Sequence, residues 1–67
     1  MESLADKKPG IYVIKEIVGK YKKLYDLGIL AGRRITVISN DRGPMIVKVN
    51  NSKIAMGKDI GRCIVVE

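Results

Sequence analysis

Apolar residues recur along the chain in short runs set off by Gly, Pro and Asn, and the spacing inside each run indicates which element it forms. In Arg34-Ile35-Thr36-Val37-Ile38-Ser39 and Met45-Ile46-Val47-Lys48-Val49 β-branched residues dominate, and Met45, Val47 and Val49 alternate onto one face. Both runs predict strands. Asn40-Asp41-Arg42-Gly43 between them is turn chemistry, and Pro44, having no N–H for a ladder, belongs at a strand start or an edge. A hairpin should join the two runs. Asn50-Asn51-Ser52 predicts a tight turn, because Asn tolerates positive φ, followed by a short strand over Lys53-Ile54-Ala55-Met56.

Towards the N-terminus, Lys8-Pro9-Gly10-Ile11 places Pro and Gly at the two central positions of a type II turn, which predicts a strand from Ile11 to Val18. The apolar parity of that run is broken, so either a bulge lies near Ile14 or both faces are buried. Lys20 to Leu27 is the one helical stretch: Tyr21, Leu24 and Tyr25 are spaced i, i+3, i+4 and share a face. Gly28 follows where a helix commonly ends in a left-handed residue. Leu30-Ala31-Gly32-Arg33 offers a second type II turn, Gly57 to Gly61 is short enough for a single 3₁₀ turn, and Cys63 to Val66 predicts a last strand. Gly10, Gly28, Gly32, Gly43 and Gly57 thus read as structural turn residues. The order of strand, helix, three strands, 3₁₀ turn and strand predicts a mainly β fold, a small five-stranded SH3-like barrel with one short helix after the first strand. An OB-fold would carry its helix between the third and fourth strands. Residues 1–67 are expected to form a single domain.

Composition narrows the function more than the fold. The 67 residues are 46% apolar and 30% charged, which is the composition of a folded domain, and at this size only ~60% of the unfolded surface can be buried. His is absent and Cys occurs once, so one chain can build neither a disulfide nor a His or Cys metal cluster. Glu16, Asp26, Asp41 and Asp59 are scattered without paired spacing and read as solvated charge. No Gly-rich phosphate loop is present, so we expect no catalytic residues, no metal and no cofactor. Cys63, in an apolar segment, is expected to be a buried, inert thiol. With no signal-peptide pattern and no apolar run near the ~20 residues that span a bilayer, a soluble cytoplasmic protein is expected, not membrane-embedded.

The net charge of +6 and pI of about 9.7 raise the reading of a small basic barrel that binds nucleic acid. The excess leans N-terminal without forming a block, and Tyr12 is the one aromatic on a predicted strand, so stacking platforms are lacking and nucleic acid is not favoured. Lys20, Lys22, Lys23 and the Arg33-Arg34 pair are instead expected to converge where helix meets turn, a surface suited to an acidic protein or to an anionic membrane leaflet, of which the protein is favoured. Tyr21, Leu24 and Tyr25 are expected to pack on the core first and to touch a partner second. The candidate partner-binding set is therefore Tyr21, Lys22, Lys23, Leu24, Tyr25, Arg33 and Arg34.

Lys23-Leu24-Tyr25-Asp26-Leu27-Gly28-Ile29-Leu30-Ala31-Gly32 resembles the signature of the FeoA family, ferrous iron transport protein A, in which a helix ends in Leu-Gly before a Pro-Gly or similar turn. Leu4 to Gly10 is similar to the family's opening Leu-x-x-x-x-Pro-Gly, and Ile54 to Val66 is similar to its closing segment. The chain departs from the pattern at Ala31, where Pro is usual, at Lys22 and Lys23, in a region that often carries Arg, at Gly57, where Arg is frequent, and at Gly61, where Ala is frequent. The resemblance implies an SH3-like cytoplasmic accessory of ferrous iron uptake. Its implied partner is the cytosolic part of the FeoB transporter, which includes a GTP-binding domain. It also implies kinship with the C-terminal SH3-like domain of the diphtheria toxin repressor family, and hence the alternative of a regulatory module in a metal-dependent repressor system.

Overall fold

A computed structural model describes residues 2–67. Six antiparallel strands form one curled sheet in the order β1-β6-β2-β3-β4-β5, with β1 over Glu2–Ser3, β2 over Gly10–Ile17, β3 over Arg34–Ser39, β4 over Met45–Val49, β5 over Ser52–Met56 and β6 over Ile64–Val66. A 3₁₀ turn covers Leu4–Asp6, α1 covers Lys22–Asp26 and α2 covers Lys58–Gly61. The fold is SH3-like and mainly β, as the order of elements predicts. The sheet has six strands rather than five and does not close, leaving β1 and β5 as its edges. Glu2–Ser3 is too short a segment for periodicity to reveal, yet it pairs with Val65 and Val66.

The broken parity of β2 is a bulge. Gly10 to Val13 pair with β3, whereas Ile14, Glu16 and Ile17 pair with β6, and the register shifts between Ile14 and Glu16. At that shift the strand passes from one partner to the other, and Gly32 N–H donates to Ile14 O at 2.8 Å across the corner. Gly10 is a correction to the turn reading. It is the first residue of β2, held extended opposite Val37, and the bend before it is closed by the Tyr12 hydroxyl donating to Lys8 O.

The hairpin elements follow their alternation. Ile35 and Val37 point inward from β3, and Met45, Val47 and Val49 point inward from β4, all of them buried. Val49 pairs with Ser52 across Asn50 and Asn51, whose φ values of 49° and 66° are both left-handed. Positive φ at both central residues is a type I′ turn, whose twist matches that of the flanking strands. Leu4, Ile14, Leu24, Ile29, Met56, Ile64 and Val66 complete the core.

Both helical predictions need adjustment. The first helix starts at Lys22 rather than Lys20, since Gly19 takes φ +99° and Tyr21 holds a non-helical φ of −104° with ψ 83°. Residues 58–61 form one α-turn rather than a 3₁₀ turn, with i→i−4 bonds from Gly61 N to Gly57 O and from Arg62 N to Lys58 O. Gly57 is the extended residue before this turn and not a left-handed one. Gly61 lets α2 lie against the 3₁₀ turn: a Cβ there would stand 2.8 Å from Met45 Sδ and 3.4 Å from the Ala5 backbone.

Candidate functional site

A half-open groove of about 340 Å³ lies between α1 on one side and β5 with α2 on the other. Tyr21, Lys23, Leu24 and Leu27 form one wall, and Ile54, Ala55, Met56, Gly57 and Ile60 form the other. Its size falls within the ~300–1,000 Å³ of ordinary ligand clefts, and its lining is mainly aliphatic.

The walls are set by short local devices. Helix α1 stops at Gly28, whose φ of +86° reverses the chain, while Ile29 N–H donates to Leu24 O at 2.9 Å and the Ile29 side chain enters the core. Leu24 is only 5% exposed and belongs both to the core and to the helix-side wall of the groove. Across the gap, β5 alternates: Ile54 and Met56 face the core side, and Lys53 and Ala55 are exposed.

The structure divides the predicted partner set. Tyr21, Lys23 and Leu24 come together in the groove, whereas Lys22 and Tyr25 lie on α1 outside its lining. Tyr21 and Tyr25 are not core residues; they are 38% and 48% exposed, because a helix of five residues buries a single side chain, Leu24. Arg33 and Arg34 do not join the helix lysines. Arg33 donates to Asn50 Oδ1 at 3.4 Å, and Arg34 opposes Val13 on the sheet. Ile54, Ala55, Met56 and Ile60 were absent from that set because the groove wall is assembled from segments some thirty residues beyond the helix, which no local periodicity links.

Cys63 is half-buried rather than buried, and it sits before β6, not within it. Its thiol donates to Asp59 O at 3.6 Å and lies beside Gly19 and the Tyr21 ring. The Tyr21 hydroxyl is held above the usual phenol range, first by its hydrogen-bonding contact with the Cys63 side chain and then by repulsion from that thiol once ionised. Among the described residues no three Cys, Asp or Glu side chains gather as a metal site. The acids remain dispersed.

Charge around the groove is mixed: Lys23 lines it, with Lys22 and Asp26 on the same helix, while Asp59 of α2 holds its carboxylate against Gly57 of the opposite wall. The two ion pairs among the described residues, Lys7–Glu2 at 3.1 Å and Lys15–Glu67 at 3.5 Å, lie on the N-terminal arm and β2. Lys7 also stands 5.5 Å over the Tyr12 ring. Lys22, Lys23 and Lys53 are in no ion pair, and Lys58 donates to the Asp41 carbonyl.

The FeoA domain family model matches residues 3–67. The chain belongs to the FeoA family. FeoA is a family of ferrous iron transport accessory proteins and not a family of enzymes. A putative Fe(2+) transport protein A of Methanocaldococcus jannaschii is 35% identical over 71 residues, covering 100% of this chain and 87% of that protein. The crystal structure of an iron uptake regulatory protein, FeoA, superposes with a TM-score of 0.87 at 27% identity, covering 98% of this chain and 93% of the other. FeoA of Stenotrophomonas maltophilia, solved with zinc and described as a procaryotic SH3 domain protein, superposes with a TM-score of 0.86 at 17% identity, covering 100% and 91% of the two chains. That last likeness supports the fold alone. No helix among the described residues is long and apolar enough to cross a membrane.

Proposed function

We propose that the protein is a non-enzymatic, cytoplasmic accessory of ferrous iron uptake that docks on the cytosolic part of a FeoB-like transporter through the groove between α1 and β5–α2. The observation that carries this reading is the aliphatic groove whose helix side presents Lys22 and Lys23, neither in an ion pair among the described residues, in a chain of the FeoA family. An apolar cleft supplies affinity, and the lysines on its helix side select and steer an acidic surface. Tyr21, Lys23 and Leu24 are the contacts from the helix side, Lys22 and Tyr25 extend them along α1, and Arg33 and Arg34 contribute at longer range.

Reversing Lys22 and Lys23 together, as Lys22→Glu with Lys23→Glu, tests the reading without touching the core, since both side chains are exposed. Capture of the transporter's cytosolic domain by the double variant should fall, and the loss should shrink as salt screens the rim. Unchanged capture by a folded double variant would remove the groove rim as the interface. Tight, saturable gel retardation of duplex DNA at physiological salt would replace the reading altogether.

A further inference from the structure

Strand β5 pairs with β4 alone, and its other side is an open sheet edge running along the groove. The register shows which groups face outward. Val49 and Ser52 close the two-residue turn and therefore exchange hydrogen bonds, so in an antiparallel ladder the next exchanging pair is Val47 with Ile54. Lys48 with Lys53 and Ile46 with Ala55 are the pairs between, whose β5 members turn N–H and C=O away from β4. No backbone bond from any other described element reaches Lys53 or Ala55. Both residues are exposed.

We propose that this edge takes up an extended, acidic segment of a partner protein as an added antiparallel or parallel strand, hydrogen-bonded to Lys53 and Ala55. The inference rests on the docking reading above and deepens it by naming the form of the occupant. An unpaired edge is a template for main-chain pairing, the mode used wherever a peptide extends a sheet. Charge decides among occupants. Lys48 and Lys53 stand directly opposite one another, a like-charge pair that is unfavourable on its own and is relieved by carboxylates on an incoming strand. A second copy of this chain would bring the same lysines to the joint and a net charge of +6 on each side. The edge therefore discriminates against self-association and in favour of acidic sequence.

Ala55→Pro separates edge pairing from every other contact. The outward N–H of Ala55 serves no bond within the protein, so proline is compatible with this edge position, whereas it removes the donor that an added strand needs. Binding of the transporter's cytosolic domain to the full chain should weaken about tenfold or more in Ala55→Pro, and in the wild-type complex the Lys53 and Ala55 amides should become protected from hydrogen exchange. Equal binding by wild type and Ala55→Pro, with both amides still exchanging freely, overturns the inference and leaves the docking reading standing. Should the domain fail to bind wild type, the docking reading falls instead. A synthetic peptide of alternating Glu and Val then decides the edge: protection of the two amides sustains it and free exchange overturns it. The amide measurement on wild type also decides the matter if Ala55→Pro does not fold.

Discussion

Gly28 and Asn50 compete for one small volume: a Cβ on Gly28 would run into Asn50 Nδ2, and Gly28 holds φ +86° at that point. Asn50 opens the β4–β5 turn and also receives the Arg33 guanidinium on its Oδ1. Helix end and hairpin turn are thus locked together, and with them the two walls of the groove. Gly28→Ala combines a left-handed backbone with displacement of Asn50, and should lower stability by about 1–3 kcal/mol. In thermal unfolding that corresponds to roughly 4–8 °C per kcal/mol for a domain of this size.

The turn itself gives a second test. Asn51 holds φ 66°, so Asn51→Val should cost about 1–2 kcal/mol in denaturant unfolding, because a β-branched residue clashes in the left-handed region. Asn51→Gly should be close to neutral, since Asn-Gly is the preferred pair in a type I′ turn.

Asn40 ties the end of β3 to the N-terminal arm by donating from Nδ2 to Ala5 O at 2.9 Å and Lys7 O at 2.8 Å. Asn40→Ala should cost about 1–3 kcal/mol and speed amide exchange in residues 2–7 before the rest of the sheet. Asn40→Asp should be worse at neutral pH, because a carboxylate would face two carbonyls. Its pKa would be raised in the folded state, so stability should recover as pH falls and the protonated acid regains a donor, and be lost again as pH rises.

Leu24 and Tyr25 are neighbours with opposite expectations. Leu24→Ala should lose about 2–5 kcal/mol, as for other buried leucines, while Tyr25→Ala should stay within about 0.5 kcal/mol. Equal losses in urea melts would mean that α1 packs with a different face.

Cys63→Ala removes both the thiol contact and the ionised-thiol repulsion that raise the Tyr21 pKa. Tyrosinate absorbance should then develop at lower pH than in wild type. An unchanged titration curve would show that Cys63 does not govern the phenol.

The legible part of the fold is the part written in local chemistry. Met45, Val47 and Val49 could be placed inward from alternation alone, and Asn50-Asn51 could be recognised as a turn, because each signal lies within a few residues. The bulge near Ile14 appeared as a break in parity, though its effect, passing β2 from β3 to β6, depends on strands far along the chain. The groove was half legible for the same reason. Tyr21 and Leu24 stood with Tyr25 on one helical face and Lys23 in the cationic stretch beside it, while Ile54, Ala55 and Met56 looked like an ordinary strand. Nothing local says that β5 has no second neighbour. Gly10 misled because Pro-Gly chemistry is compatible with a turn and with the start of a strand, and pairing with Val37 decides between them.

The passage of β2 between two partners also orders events during folding. Its first half can pair as soon as β3 is present, but Ile14, Glu16 and Ile17 must wait for Ile64 to Val66, and β1 can add only after β6 is seated. Closing contacts across some fifty residues is slow relative to forming the β3–β4–β5 meander, whose turns are short. The meander is therefore the expected nucleus, and the seam at β6, with β1 added onto it, the last part to form and the first to open.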